Sequence, residues 1–204
     1  ELASRLRTSA IPDNEILGNL ELFLTRSSMA RIMFVHEVYQ QILAVHGVVL
    51  EFGVRWGRNL ALYTTFRSMY EPYNISRRIV GFDTFEGFPS VAPQDGRAPS
   101  VGLGKLAVTE GHDEDLAALL TAHEALGARP NVRKFELVKG DVTETLPAYL
   151  SRHPETIVAL ARDYATTKPA ATTMSRSDPH FGWNSSSIGS SVPTTPKPSH
   201  SSTG

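Results

Sequence analysis

Apolar positions along residues 1–164 alternate between two spacings, one helical and one strand-like. Ile32, Val35, Tyr39, Ile42 and Leu43 recur at helical intervals, so residues 28–46 read as a helix capped by Ser28 and ended by Gly47. Val48 to Phe52 follows as a short, nearly continuous apolar run, the pattern of a strand covered on both faces. Leu60, Leu62, Tyr63 and Phe66 restore the helical period over residues 59–70, and Glu71-Pro72 stops it. The same alternation repeats downstream. Strands are predicted at 78–82, 135–138 and 157–160, and helices at 113–126 and 142–152. Residues 84–110 carry Pro89, Pro93, Gly96, Pro99, Gly102 and Gly104 and read as a loop. Strands alternating with helices predict an α/β fold. It is a Rossmann-like parallel sheet with flanking helices and right-handed crossovers.

This patterning stops near residue 164. In residues 165–204, 25 of 40 positions are Ser, Thr, Pro or Gly, and the branched or aromatic apolar residues are Phe181, Trp183, Ile188 and Val192. Such a segment buries too little apolar surface to offset the roughly 1–2 kcal/mol per residue of ordering its backbone. The expected organisation is therefore a partial α/β domain over 1–164, incomplete on its C-terminal side, and a disordered tail over 165–204. Thr195-Pro196 is a candidate phosphorylation pair within that tail, of a kind common in Ser/Thr/Pro-rich sequence. The formal net charge of −1 gives no bulk attraction to nucleic acid. The absence of cysteine excludes disulfides, thiolate metal sites and a Cys nucleophile. No apolar run reaches the roughly 18 residues of a membrane span, and the N-terminus shows no basic segment followed by a long apolar one, so a soluble cytoplasmic protein is expected. The sequence leaves the oligomeric state open.

The candidate chemistry gathers where predicted strands end. Glu51-Phe52-Gly53-Val54-Arg55-Trp56-Gly57-Arg58-Asn59 spans the turn from the first strand into the next helix. Glu51 sets a carboxylate at the carboxyl end of the strand, where open α/β sheets bind ligands. Gly53 lets the backbone turn tightly, and Gly57 opens a helix whose free N–H groups favour anionic groups. Arg55 stands where a dinucleotide fingerprint needs its middle glycine, which disfavours a pyrophosphate-bridged cofactor. Asp83 ends the second strand, 30 positions after Gly53, where a carboxylate can accept hydrogen bonds from both hydroxyls of a ribose. Phe82, Phe85 and Phe88 are either flat contacts for a base or acceptor, or packing beneath a loop. Asp141 follows the third strand and suits either an adenine amino group or the N-cap of the next helix.

The blocks Val49 to Gly57, Gly81-Phe82-Asp83-Thr84-Phe85-Glu86-Gly87-Phe88-Pro89, and Lys139-Gly140-Asp141 with Thr145-Leu146-Pro147 resemble class I S-adenosylmethionine-dependent methyltransferases of the macrocin O-methyltransferase type. The resemblance runs from about residue 19 to 160. It implies O-methylation of a sugar hydroxyl in antibiotic or surface-polysaccharide synthesis, with a sugar or sugar nucleotide as acceptor. It also implies cofactor contacts at Glu51, Gly53, Gly57, Asp83 and Asp141. The family places an Asp-x-Asp-x-Tyr segment after its fourth strand, whose carboxylates hold Mg²⁺. Here the segment reads Ala161-Arg162-Asp163-Tyr164, with one Asp, so most of the expected metal ligands are absent and catalysis is expected to be impaired. No residue stands out as the catalytic base. His112, Asp113, Glu114 and Asp115 read as the solvated start of a helix rather than as ligands. A reading-frame shift near the codon for Ala161 would account for the abrupt change in character. The competing readings are a non-catalytic cofactor-binding remnant and, disfavoured by Arg55, a nicotinamide-dependent oxidoreductase.

Overall fold

The computed structural model describes residues 1–87 and 104–163. The proposed tail, Phe88, Pro89 and much of the predicted loop lie outside them. Four parallel strands form one sheet: β1 (Val48–Phe52), β2 (Ile79–Asp83), β3 (Phe135–Lys139) and β4 (Val158–Asp163). Their order is β3-β2-β1-β4, so the chain reverses direction across the sheet between β1 and β4. The expected Rossmann-like arrangement is what folds. Every residue of β1 is buried, as its unbroken apolar run implies for a central strand.

Helices α3 (Arg26–Gln41), α4 (Arg58–Tyr70) and α5 (His112–Ala125) cover one face. Val35, Tyr39, Leu60, Tyr63, Leu116 and Leu120 pack there against Val49, Ile79, Phe135 and Leu160 of the strands. The other face carries α6 (Val142–Arg152), whose Tyr149 packs with Val48, Leu50, Phe52, Val80 and Phe82. Side chains along β1 thus alternate between layers as the strand period requires, and Glu51 falls on the α3/α4 side.

Boundaries differ from the sequence reading in instructive places. Helix α3 is capped by Thr25, whose hydroxyl accepts from the Ser28 backbone N–H, so Ser28 lies within the first turn and is not the cap. The helix ends at Gln41 rather than at Gly47, and turns at Ile42 to Val45 lead into β1. Gly47 has φ +130°, and a Cβ there would meet the Ile157 carbonyl oxygen at 2.5 Å. That glycine lets β1 approach the start of β4. Ahead of α3, the chain forms α1 (Leu2–Arg7), α2 (Asp13–Ile16) and a 3-10 helix (Leu17–Phe23), none with a buried residue.

A charged network closes the amino-terminal edge of the sheet. Arg77 donates to the carbonyls of Ile42, Val45 and Gly47 and to the Glu71 carboxylate. Arg67 of α4 and Lys134 both pair with Glu124 of α5, all three buried. These bonds satisfy the loose carbonyls beneath the strands and leave the carboxyl edge to carry the site.

Candidate functional site at the carboxyl edge of the sheet

The turn leaving β1 is held in an uncommon backbone shape. Gly53, Arg55 and Gly57 all have positive φ, at 74°, 53° and 74°. For Arg55 this conformation costs roughly 1–2 kcal/mol, and Asp83 provides a compensating bond. One carboxylate oxygen of Asp83 accepts from the Arg55 backbone N–H at 2.7 Å, and the other accepts from Phe85 N–H at 2.6 Å. Phe85 is the second non-glycine residue of the site with positive φ, at 60°. Asp83 therefore ties the turns after β1 and β2 together. Each oxygen retains a second lone pair.

Glu51 is placed differently. It is 2% exposed, and its Oε1 accepts from Asn59 Nδ2 at 2.7 Å. Burial pushes its carboxyl up to about 7; the Asn59 hydrogen bond and the cations Arg162 and Arg31 oppose a larger rise. Arg162 faces Glu51 directly in the β1/β4 register. Glu51 Oε2 and Asn59 Oδ1 are both buried acceptors without a partner. Such a pair is costly in isolation and suits a hydrogen-bond donor from a ligand.

Gly57 caps α4 without a side chain, so the first N–H groups of that helix keep no side-chain acceptor. A Cβ at Gly57 would overlap Leu116 of α5, and this is what fixes glycine there beyond its φ. Asp141 caps α6 through its Oδ1, which accepts from Thr143 N–H at 2.8 Å and from the Thr143 hydroxyl at 2.7 Å. Both bonds hold its carboxyl below its usual range. The capping role is thus realised, and Oδ2 remains for other use. Phe82 and Phe85 are core residues, buried at 1% and 5% exposure, so the packing reading holds for both.

A cleft of about 400 Å³ continues the edge beyond β2 and β3, bounded by Phe85, Val108, Gly111, Asp113 and Lys139. Asp113 pairs with Lys139 across it at 3.2 Å, and His112 begins α5 with its ring edge-on to Trp56. Among the described residues no group of three or more His, Asp or Glu side chains gathers. One Asp preceded by Arg162 at the end of β4 is a donor set that does not fit Mg²⁺, which takes several oxygen ligands.

Sequence reasoning assigned no role to Asn59, Arg31 or Arg162, the three residues that bond to Glu51 or oppose the rise of its carboxyl. Asn59 had a signal, standing in the first turn after Gly57. Arg31 and Arg162 converge only through the packing of α3 and the pairing of β4 with β1. No helix among the described residues is long and apolar enough to cross a membrane.

No family model and no curated protein matches the chain. Solved structures do resemble it. The crystal structure of CalS11, described as a calicheamicin methyltransferase, superposes with a TM-score of 0.78 at 45% identity, covering 79% of this chain and 63% of that one. The apo structure of CalS11, described as a TDP-rhamnose 3'-O-methyltransferase of calicheamicin biosynthesis, gives 0.68 and 40% over 79% and 62%. The chain therefore shares the class I methyltransferase fold and spans less than two thirds of the length of these neighbours.

Proposed function

We propose that the chain binds S-adenosylmethionine at the carboxyl edge of β1 and β2 and serves O-methyl transfer to a sugar hydroxyl. The observation that carries this reading is the presence of Asp83 and Glu51 at adjacent strand ends, with the unpartnered Glu51 Oε2 and Asn59 Oδ1 of α4 buried beside each other. It sits in a fold shared at 45% identity with a methyltransferase. Asp83 would accept from the ribose hydroxyls, and Glu51 Oε2 with Asn59 Oδ1 would accept from the ammonium of the amino-acid end. Gly53 and Gly57 keep side chains out of the turn, and Asp141 stands ready for the adenine amino group. When bound, the cofactor supplies a sulfonium methyl for in-line attack by the acceptor oxygen. The protein's part is to orient and desolvate the two reactants. The neighbour's description points to a nucleotide-linked deoxysugar as acceptor. The donor set at the end of β4 gives no place to Mg²⁺, so we derive no metal-assisted step, and turnover by this chain is proposed to be impaired.

Calorimetric titration tests the reading. S-adenosylmethionine should bind, and NADH should not, because Arg55 fills the place a pyrophosphate needs. Binding of NADH in preference to S-adenosylmethionine would overturn the proposal in favour of hydride-transfer chemistry.

A further inference from the structure

We propose that Arg162 is a positioning residue for ligand capture: set over Phe34 and beside the Tyr63 hydroxyl, its guanidinium holds Glu51 as the anion that receives the ligand's ammonium. The proposal rests on the methyltransferase reading above and deepens it. Glu51 of β1 and Arg162 of β4 are paired positions on neighbouring parallel strands. Such partners project from the same face of a sheet, so Arg162 enters the layer beneath α3 and α4. Its Cζ lies 5.1 Å from the centre of the Phe34 ring of α3, within reach of a cation–π contact. Its Nη1 is buried without a hydrogen-bond partner, and among the described residues Arg162 makes no ion pair. A buried guanidinium with an unspent donor is costly to keep for packing alone.

Its surroundings show what that charge acts on. Glu51 Oε2, Asn59 Oδ1 and the Tyr63 hydroxyl are buried and equally without hydrogen-bond partners. Burial pushes the Tyr63 phenol up to about 12, so it stays a neutral hydroxyl. Glu51 and Arg162 act on that phenol in opposite directions, which places Tyr63 within reach of both. The other charges facing Glu51 are Arg31 of α3 and Asp83 of β2. Arg31 is half-buried and partly screened by water, and Asp83 repels the carboxylate. Arg162 is therefore the cation with the strongest hold on Glu51. Without it, a carboxyl at this depth keeps its proton through neutral pH and meets an arriving ammonium as a neutral acid. Arg162 thus acts through Glu51, and the pairing of β4 with β1 delivers the charge to the site.

The test compares the full chain with Arg162→Gln, Arg162→Met and Arg162→Lys. Met keeps the length and suits an apolar layer, so it serves if the Gln variant fails to fold. Urea unfolding of each protein and of its Glu51→Gln counterpart, from about pH 4 to about pH 9, isolates the Glu51 titration. In the parent, the stability that Glu51 contributes should be lost as pH rises through about 7. In the two neutral variants that loss should end about one pH unit higher, and the Lys variant should follow the parent. S-adenosylmethionine is then titrated calorimetrically at about pH 6 and about pH 8.5, above and below which Glu51 changes charge little. The parent's advantage over a neutral variant should be about sevenfold larger at the lower pH, where the variants leave less of Glu51 ionised. An unchanged Glu51 titration in the neutral variants would overturn the proposal. So would a loss of affinity of one size at both pH values, which marks a merely structural role. A shifted titration with no binding of S-adenosylmethionine by the parent would leave Arg162 coupled to Glu51 and refute the methyltransferase reading instead.

Discussion

Replacing Glu51 by Gln should stabilise the fold at neutral pH while weakening the site. The folded carboxyl titrates at about 7, against 4.5 for an ordinary glutamate, because burial penalises its charge. Between those values the unfolded chain releases a proton that the folded chain keeps. The contribution of Glu51 to stability is therefore complete below about pH 4.5, declines as pH rises toward 7, and stays low above it. A shift of about two and a half units corresponds to roughly 3 kcal/mol lost across that window. Glu51→Gln removes the titration. The new amide keeps an acceptor for Asn59 Nδ2, but its NH₂ replaces Oε2 near Arg162 and Arg31, which offsets part of the gain. A net stabilisation of about 1–2 kcal/mol above pH 7 is expected. Urea unfolding of both proteins from about pH 4 to about pH 8 measures it, and other titrating groups cancel in the difference. Parallel pH profiles for parent and variant would refute the argument. The same variant should bind S-adenosylmethionine about tenfold or more weakly, since one of two acceptors facing the ligand becomes a donor.

Asp83→Asn should weaken S-adenosylmethionine binding by about 1.5–3 kcal/mol in a titration, because an amide cannot accept from Arg55 N–H, Phe85 N–H and two hydroxyls together; unchanged affinity would remove Asp83 from the site. Gly57→Ala should cost about 2–4 kcal/mol by chemical denaturation, from a left-handed backbone and overlap with Leu116. The penalty should shrink in a Leu116→Ala background, and an equal penalty there would show that the overlap is relieved by other means. Glu124→Gln should cost about 3–5 kcal/mol, seen as a fall in melting temperature, because it leaves the buried Arg67 and Lys134 without their shared anion; an unchanged melting temperature would mean water reaches both cations.

The strands were legible because each is a short apolar run between breakers, and a central parallel strand needs no polar alternation. Helix α3 was legible in its body and not at its start. Thr25, Ser27 and Ser28 are all capable caps, and only the backbone geometry chooses Thr25. Residues 1–23 gave no periodic signal because the helices there bury nothing. Glu51, Gly53, Gly57 and Asp83 could be picked out as candidates because each stands at, or just past, the carboxyl end of a strand. What that placement could not reveal is that Glu51 points into the layer beneath α3 and α4. That orientation follows from the strand's period once β1 is placed, and Arg162 arrives opposite only through the register of β4.

The two carboxylates at the neighbouring strand ends are bonded differently, and that contrast bears on what the edge can hold. Asp83 already accepts two backbone N–H bonds and serves to lock the turns at Arg55 and Phe85. Glu51 has one bond, one idle oxygen and a raised titration point. A fold optimised for stability alone would place an apolar residue there, since Val49 and Leu160 already supply apolar packing on that face. Retaining an unsatisfied carboxyl beside an unsatisfied amide oxygen is the kind of strain a ligand's ammonium would relieve. On this argument binding and protonation are linked: an ammonium favours the charged form of Glu51, so its arrival should expel a proton. Titrations of S-adenosylmethionine near pH 6.5 in buffers of different ionisation heat should therefore give enthalpies that differ with the buffer. The difference should vanish in Glu51→Gln. Buffer-independent enthalpies in the parent would mean that the ligand does not reach Glu51.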